Sequence, residues 1–200
     1  MRLPVNIRRF GSQSLTRRKL PLAVPNLRVA QIAKTALFDS VKAIRRGDWA
    51  ALEHHRPRAL VGNASDLREV AQRVAAGAIE LSSVDHAIFV LTDCGAAPLS
   101  DVLRVVLWQA FGVPVYELFV GKAGILASEC ETHDGWHVEP GASFWLAQGE
   151  LLLDGFGTKG MRTGLSGSIE TTVCPCGRQG LRLMNIGMHS EPARSLAATA

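Results

Sequence analysis

His86-Ala-Ile-Phe-Val-Leu-Thr92, then a serine at position 100, then Val113-Pro-Val-Tyr-Glu-Leu-Phe119 form the stretch on which the fold turns. The first run is apolar without alternation, as expected of a strand buried on both faces. Ser100 is a helix N-cap residue. Leu103, Val106, Leu107 and Ala110 follow at the spacing of one helical face, and Gly112 stops the helix. Val113–Phe119 reads as the next strand. Strand, helix and strand at this spacing imply a parallel pair joined by a right-handed crossover.

Toward the N-terminus, Arg58–Val61 reads as a short strand. Ser65 is expected to cap a helix through Ala76, with Asp66 in its first turn favoured by the helix dipole. About three parallel strands result. Such a sheet is normally covered on both faces. Asn26 is expected to cap a further helix to about Arg46, because Val29, Ile32, Ala33, Ala36, Leu37, Val41 and Ile44 recur at helical spacing, and Gly47 would end it. Residues 1–25 contain Pro4, Gly11, Pro21 and Pro25 and read as an extended arm.

Toward the C-terminus the character changes at Gly124. Helical periodicity disappears, glycines become dense, and short apolar runs follow at Trp136–Val138, Ser143–Leu146, Glu150–Leu153 and Ser168–Val173. They predict an antiparallel sheet or a small distorted barrel. After Gly187 no packing pattern remains, which reads as a frayed tail. The expected organisation is an arm at 1–25, a helix plus α/β subdomain at 26–123, a β-rich subdomain at 124–187 and a flexible tail at 188–200.

The 200 residues are 47% apolar and 20% charged, enough to build a real core. No apolar run approaches the ~18 residues of a membrane span. The net charge of +4 is unevenly placed: eight Lys or Arg and no acid lie between Met1 and Phe38. That basic segment suits an acidic partner surface or phosphates. It lacks the apolar core of a secretory signal, so the chain is expected in the cytoplasm. Arg8, Arg9, Ser12, Ser14, Arg17 and Arg18 also fit an organelle import sequence, the minor alternative. Nucleic acid is an unlikely partner, since charge alone stands behind it and no recognition motif accompanies it.

Four cysteines are present, Cys94, Cys130, Cys174 and Cys176. Cys174-Pro-Cys176 is too tight for an easy mutual disulfide, and Cys clustered with His in a reducing compartment points to metal. Cys130, His137, Cys174 and Cys176 supply the thiolate and imidazole ligands preferred by structural zinc. Cys130 and His137 suit the two ends of a hairpin. Pro175 stiffens the second pair, and Gly177 permits the left-handed turn that aims N–H groups at sulfur. Four ligands with no open position mean a structural site. His133 competes with His137 for the role but falls at the presumed hairpin tip. Cys94 reads as a small buried residue, and His54 and His55 as exposed loop residues. Trp136 and Trp145 read as core or interface anchors.

Longer motifs carry a resemblance. Cys94-Gly-Ala-Ala-Pro-Leu-Ser-Asp-Val-Leu-Arg104 and Phe111-Gly-Val-Pro-Val-Tyr-Glu-Leu-Phe119 are followed by Glu129-Cys130 and Gly135-Trp-His-Val138. Gly149-Glu-Leu151, Met161-Arg-Thr-Gly164 and Cys174-Pro-Cys-Gly-Arg178 come next. In order and spacing, over roughly residues 57–187, these resemble the phenylacetate–coenzyme A ligase branch of the adenylate-forming enzymes. The resemblance implies an α/β fold whose β-rich part is stapled by zinc, since relatives with this Cys…His…Cys-x-Cys pattern are zinc-bound. With it the expected class is α/β: a short parallel sheet with helices, followed by a small zinc-stapled antiparallel β-barrel-like subdomain.

The departures from the family pattern bear on activity. The family's phosphate-holding loop and C-terminal lid are not found, and Val61-Gly-Asn-Ala-Ser65 is too short and lacks a lysine. Phe119-Val-Gly-Lys-Ala-Gly124 stands where the family has Tyr-Gly-x-Thr-Glu, so a carboxylate for magnesium is gone. Met161-Arg-Thr-Gly-Leu165 ends in leucine where an aspartate would bind ribose hydroxyls. Arg162 matches a family arginine near the nucleotide, although a surface arginine is the simpler reading. Lys122, just beyond a strand's carboxyl end, is placed to meet a phosphate. The expectation is a non-catalytic scaffold or interaction subunit with no catalytic residues, working with a protein partner or as a homo-oligomer. The alternative is a residual acyl- or nucleotide-binding or ligase component acting with a partner that supplies the missing parts.

Overall fold

The computed structural model describes residues 20–21, 24–121, 124–155 and 157–190. Most of the basic arm, the last ten residues and Lys122 therefore lie outside the described residues. The elements in chain order are β1 (Val29–Ile32), β2 (Val41–Ile44), α1 (Trp49–His55), β3 (Ala59–Asn63), α2 (Ala64–Ala75), β4 (Ala87–Asp93), α3 (Asp101–Phe111), β5 (Val115–Gly121), β6 (Gly124–Glu129), β7 (Trp136–Val138), β8 (Ala142–Ala147), β9 (Glu150–Gly155), β10 (Thr158–Glu170) and β11 (Arg182–Met188). The eleven strands among the described residues join one open sheet in the order β2-β1-β3-β4-β5-β6-β7-β11-β10-β9-β8.

From β2 to β5 every pairing is parallel, with Ile88 opposite Val115 and Phe89 opposite Tyr116 between β4 and β5. Alternation sends Leu60, Ile88 and Val90 to one face, where they meet Leu52 of α1, Leu67 and Val70 of α2, and Leu103 and Leu107 of α3. The opposite face carries Val61, Phe89, Tyr116 and Leu118. Each fully buried Leu or Phe here contributes about 1.5–3 kcal/mol. Ser100 caps α3 by accepting from the Leu103 N–H, and Gly112 closes it at φ 67 by donating to the Trp108 carbonyl. The cap of α2 is Asn63, not Ser65: its Oδ1 accepts from both the Asp66 N–H and the Ser65 hydroxyl.

The helix expected between Asn26 and Arg46 is absent. Val29–Ile32 and Val41–Ile44 are parallel strands paired in register. Both are short and begin and end on β-branched residues, which fit a doubly buried sheet better than a helix. The far face of the parallel sheet is covered instead by Leu20, Leu27 and Phe38 from non-helical segments. Gly47, at φ 90, turns the chain after β2. The next element, α1, holds His54 and His55 in its last turn, so they are helical, not loop; Asp48 caps it by accepting from Ala51 N–H.

β5 is the seam of the sheet. It runs parallel to β4 and antiparallel to β6 (Leu118 opposite Ser128, Phe119 opposite Ala127). Beyond it every pairing is antiparallel. The expected barrel-like closure is not formed: among the described residues, β8 ends the strand order with no partner on its outer side. The sheet does curl: Phe144 of β8 approaches Phe119 of β5 with ring centroids 6.2 Å apart, around a core that includes Leu126, Leu151, Leu165 and Leu183.

Candidate metal centre

Cys130 directly follows β6. The chain then turns back into β7, with His133 N–H donating to the Cys130 carbonyl at 2.9 Å. Gly135, at φ 79, makes the turn possible. A Cβ there would lie 2.2 Å from Met184 Sδ and 2.7 Å from the Leu183 carbonyl oxygen, so only glycine lets β7 pass this close to β11. In β7, Trp136 stacks on Phe119 at 5.2 Å in the core, and alternation turns His137 to the other face. The second pair of sulfurs comes from the turn between β10 and β11. There Gly177 N–H donates to the Cys174 carbonyl at 2.8 Å, and Cys174 N–H to that of Arg178 at 3.1 Å.

The structure brings these four side chains together. The donor atoms of Cys130, His137, Cys174 and Cys176 all lie within 4.8 Å of one another, and all but Cys176 are buried. Cys130 Sγ is 3.7 Å from Cys174 Sγ, and Cys176 Sγ is 3.5 Å from His137 Nε2. A disulfide would need about 2.05 Å. A tetrahedron with metal–sulfur bonds of about 2.3 Å and metal–nitrogen bonds of about 2.0 Å has edges of about 3.8 Å (S···S) and about 3.5 Å (S···N). The donor set and the spacing therefore fit a tetrahedral ion. His133 stays outside the cluster, stacked on Tyr116 at 5.2 Å, with Nδ1 3.6 Å from Glu129.

The electrostatics favour the ligating protonation state at Cys174 and His137 and oppose it at Cys176. Burial pushes the Cys174 thiol up, but hydrogen bonds from Thr132, from the Cys176 backbone and from the neighbouring thiols outweigh it and bring it down to about 7. Burial, with Arg178 and Arg182 nearby, holds His137 below its ordinary value, so it is neutral and free to ligate. Burial raises Cys176 against the pull of Arg178.

Arg162 lies elsewhere, on β10. Its Nε donates to Glu150 Oε2 at 2.6 Å, while Gly164 N–H donates to Glu150 Oε1 at 2.8 Å. Arg162 lines a cavity of about 540 Å³ at the carboxyl ends of β4 and β5, with Asp93, Cys94, Val120, Leu126 and Met161 among its walls. Leu165 is fully buried in the core cluster that also holds Leu151 and Leu183.

β5 carries a buried polar group, Glu117, that the sequence pattern alone does not single out. Glu117 Oε1 accepts from the Thr92 hydroxyl at 2.5 Å and the Leu99 N–H at 2.7 Å. Burial pushes its carboxyl up to about 7. Arg104 of α3 grips Glu129 through Nη1 at 3.1 Å and Nη2 at 2.9 Å, and Glu129 in turn accepts from the Glu117 N–H at 2.6 Å. The available signal was an acid inside the apolar run Val-Tyr-Glu-Leu-Phe, because a charge there needs a partner.

Fold and cluster together define an α/β chain whose sheet continues into an antiparallel half organised around three cysteines and a histidine. No protein-family model matches the chain, and no curated protein sequence matches it. Its fold is shared with adenylate-forming CoA ligases. A 2-hydroxyisobutyryl-CoA ligase, solved in an open conformation with 2-HIB-AMP and CoA, superposes at a TM-score of 0.63 with 16% identity over 82% of this chain and 45% of its own. An acyl-CoA synthetase (AMP-forming)/AMP-acid ligase II-like protein from Dyadobacter fermentans gives 0.52 with 13% identity over 82% and 49%. The coronafacic acid ligase of Pectobacterium brasiliense gives 0.55 with 11% identity over 83% and 40%. The chain thus spans less than half the length of these structures.

Proposed function

We propose that the chain is a non-catalytic, adenylate-forming-enzyme-like protein, a scaffold or interaction subunit in which Cys130, His137, Cys174 and Cys176 hold one structural zinc ion. The observation that carries this is the closed cluster of four donors, which satisfies a tetrahedral ion and leaves no position for substrate. Zinc, when bound, supplies a fixed crosslink between the β6–β7 hairpin and the β10–β11 turn. The free state of all four cysteines suits a reducing compartment, and we place the protein in the cytoplasm. No helix among the described residues is long and apolar enough to cross a membrane.

The chemistry of the crevice supports the non-catalytic part. Asp93 is the only carboxylate lining the cavity among the described residues, and Arg162 beside it is engaged by Glu150. A divalent ion carrying nucleotide phosphates is bound through hard oxygen ligands. The position expected to contact ribose is Leu165, buried in the core. An interaction role is supported by the outer face of α3, where Val102, Val105 and Trp108 are 76%, 51% and 59% exposed. A contiguous apolar face in water marks a surface that another protein or a second copy covers. Among the described residues β2 and β8 are edge strands, and such edges invite the same.

The test is ligand-dependent melting and ATP–pyrophosphate exchange. ATP and an acyl-adenylate mimic are expected to leave the melting temperature unchanged, and exchange with aryl or fatty acids is expected to stay at background. Exchange above background that disappears in Arg162→Ala would overturn the proposal and favour the second reading, a residual acyl or nucleotide site in the 540 Å³ cavity. Light scattering tests the partner: a salt-insensitive monomer that co-purifies with no protein would contradict an interaction subunit.

A further inference from the structure

Three thiolates and a neutral imidazole around a divalent ion carry a net charge of −1. Cys130 and Cys174 are 0% and 2% exposed and His137 is 6% exposed, so that charge would be buried. A buried charge is costly unless it is paired or hydrogen-bonded. The fold supplies two arginines at this spot. Arg182 of β11 sits opposite His137 of β7 and its side chain is 4% exposed. Arg178 follows the Cys174–Cys176 turn. Among the described residues, just two buried side-chain nitrogen or oxygen atoms have no hydrogen-bond partner, Arg178 Nη2 and Arg182 Nε. Both belong to these arginines.

The remaining guanidinium atoms of Arg182 are occupied. Nη1 donates to the Asp134 carbonyl at 3.0 Å and to its carboxylate, and Nη2 donates to Thr172 Oγ1 at 2.9 Å. Its leftover Nε is thus held in a fixed orientation. Arg178 reaches Glu131 only at 3.9 Å, and its guanidinium hydrogen-bonds the Cys176 sulfur. Arg182 likewise lies within electrostatic reach of the Cys174 sulfur.

We propose that Arg178 and Arg182 are the counter-charge of the metal centre, each directing one otherwise unpartnered N–H group at the thiolates and so setting how tightly the ion is held. They are positioning residues, not ligands. The proposal rests on the zinc centre argued above, and the experiment separates the two. Zinc affinity is measured by chelator competition for the wild-type chain and for Arg178→Gln, Arg178→Lys and Arg182→Gln. The cobalt-substituted forms report the ligand set. Each Gln variant is expected to bind one ion per chain about 10–100-fold more weakly. Its thiolate-to-cobalt charge-transfer band moves to lower energy, because a sulfur that loses an N–H donor gives up an electron more easily. Arg178→Lys, which keeps the charge, recovers most of the affinity. Arg178 lies on a turn with a 38% exposed side chain, so its variants test the idea even where Arg182→Gln does not fold. Wild-type affinity and an unshifted band in the Arg178 variants would overturn the counter-charge role and leave the zinc centre standing. A wild-type chain that binds no zinc would overturn both.

Discussion

On the β4 side of the seam strand β5, the sheet is buried on both faces. Leu60, Ile88 and Val90 pack under three helices, and Val61, Phe89 and Leu118 fill the opposite layer. On the β6 side the core is smaller. Trp145 and Leu146 of β8 stand 43% and 44% exposed, and polar contacts do much of the tying: Arg182 to Asp134 and Glu170, Arg162 to Glu150, and the four-donor cluster. The parallel half has apolar area to hold itself together. The antiparallel half, with a smaller apolar core and more polar contacts, resembles small domains in which a metal adds to stability. The contrast teaches where stability comes from on each side, and substitutions can break or sharpen it.

The largest effect is expected from Cys174→Ala. Removing one buried ligand should abolish stoichiometric zinc and, since structural zinc contributes on the order of 10 kcal/mol in small zinc domains, melt the antiparallel half first. Near-UV circular dichroism, to which Trp136 stacked on Phe119 contributes, reads that loss. Retained zinc or an unchanged near-UV spectrum would break the contrast. Next comes Phe89→Ala, in the middle of the parallel sheet and 0% exposed. It should cost about 3–5 kcal/mol in denaturant unfolding, by the same amount with and without chelator. A chelator-dependent cost would mean that the two halves are not separable.

Glu117 sharpens the comparison through pH, because it sits at the seam. Its carboxyl is raised from an ordinary 4.5 to about 7 by burial. The folded state therefore holds the proton more tightly than the unfolded chain. The associated stability is fully present below pH about 4.5, falls as pH rises toward 7, and stays lost above it. Glu117→Gln keeps an oxygen to accept from Thr92 and Leu99 but cannot ionise. Relative to wild type it should gain stability between pH 5 and pH 8, by roughly 3 kcal/mol. A difference independent of pH would refute the burial of an ionisable seam residue. The smallest effect is expected from Ser100→Ala, which removes the α3 cap at a cost of about 1 kcal/mol, seen as a shifted unfolding midpoint with zinc content unchanged.

The contrast also explains what the sequence disclosed. His86–Thr92, the Ser100 cap and the Gly112 stop were legible because strand burial, cap chemistry and a left-handed glycine all pointed the same way. Val29–Ile32 and Val41–Ile44 were not. Over so few residues, apolar spacing matches a helix as well as a strand, and pairing with β3, remote in sequence, decides. α1 is seven residues long and announces itself only by Asp48 before Trp49. The four ligand types stood out by chemistry, whereas Arg178 and Arg182 did not, because an arginine's buried N–H groups become visible only once the strands are paired. Glu117 was visible as an acid in an apolar run, but its partners Thr92 and Leu99 come from another strand and a loop.

The most direct test of the proposal that zinc fastens the antiparallel half is amide hydrogen exchange on the full chain before and after stripping metal with a strong chelator. The protein is expected to release one zinc per chain. Amides of β7, β10 and β11 should then lose protection by several orders of magnitude, while those of β3, β4 and α2 keep theirs. Release of no metal, or protection that is unchanged across β7, β10 and β11 after release, would contradict the claim.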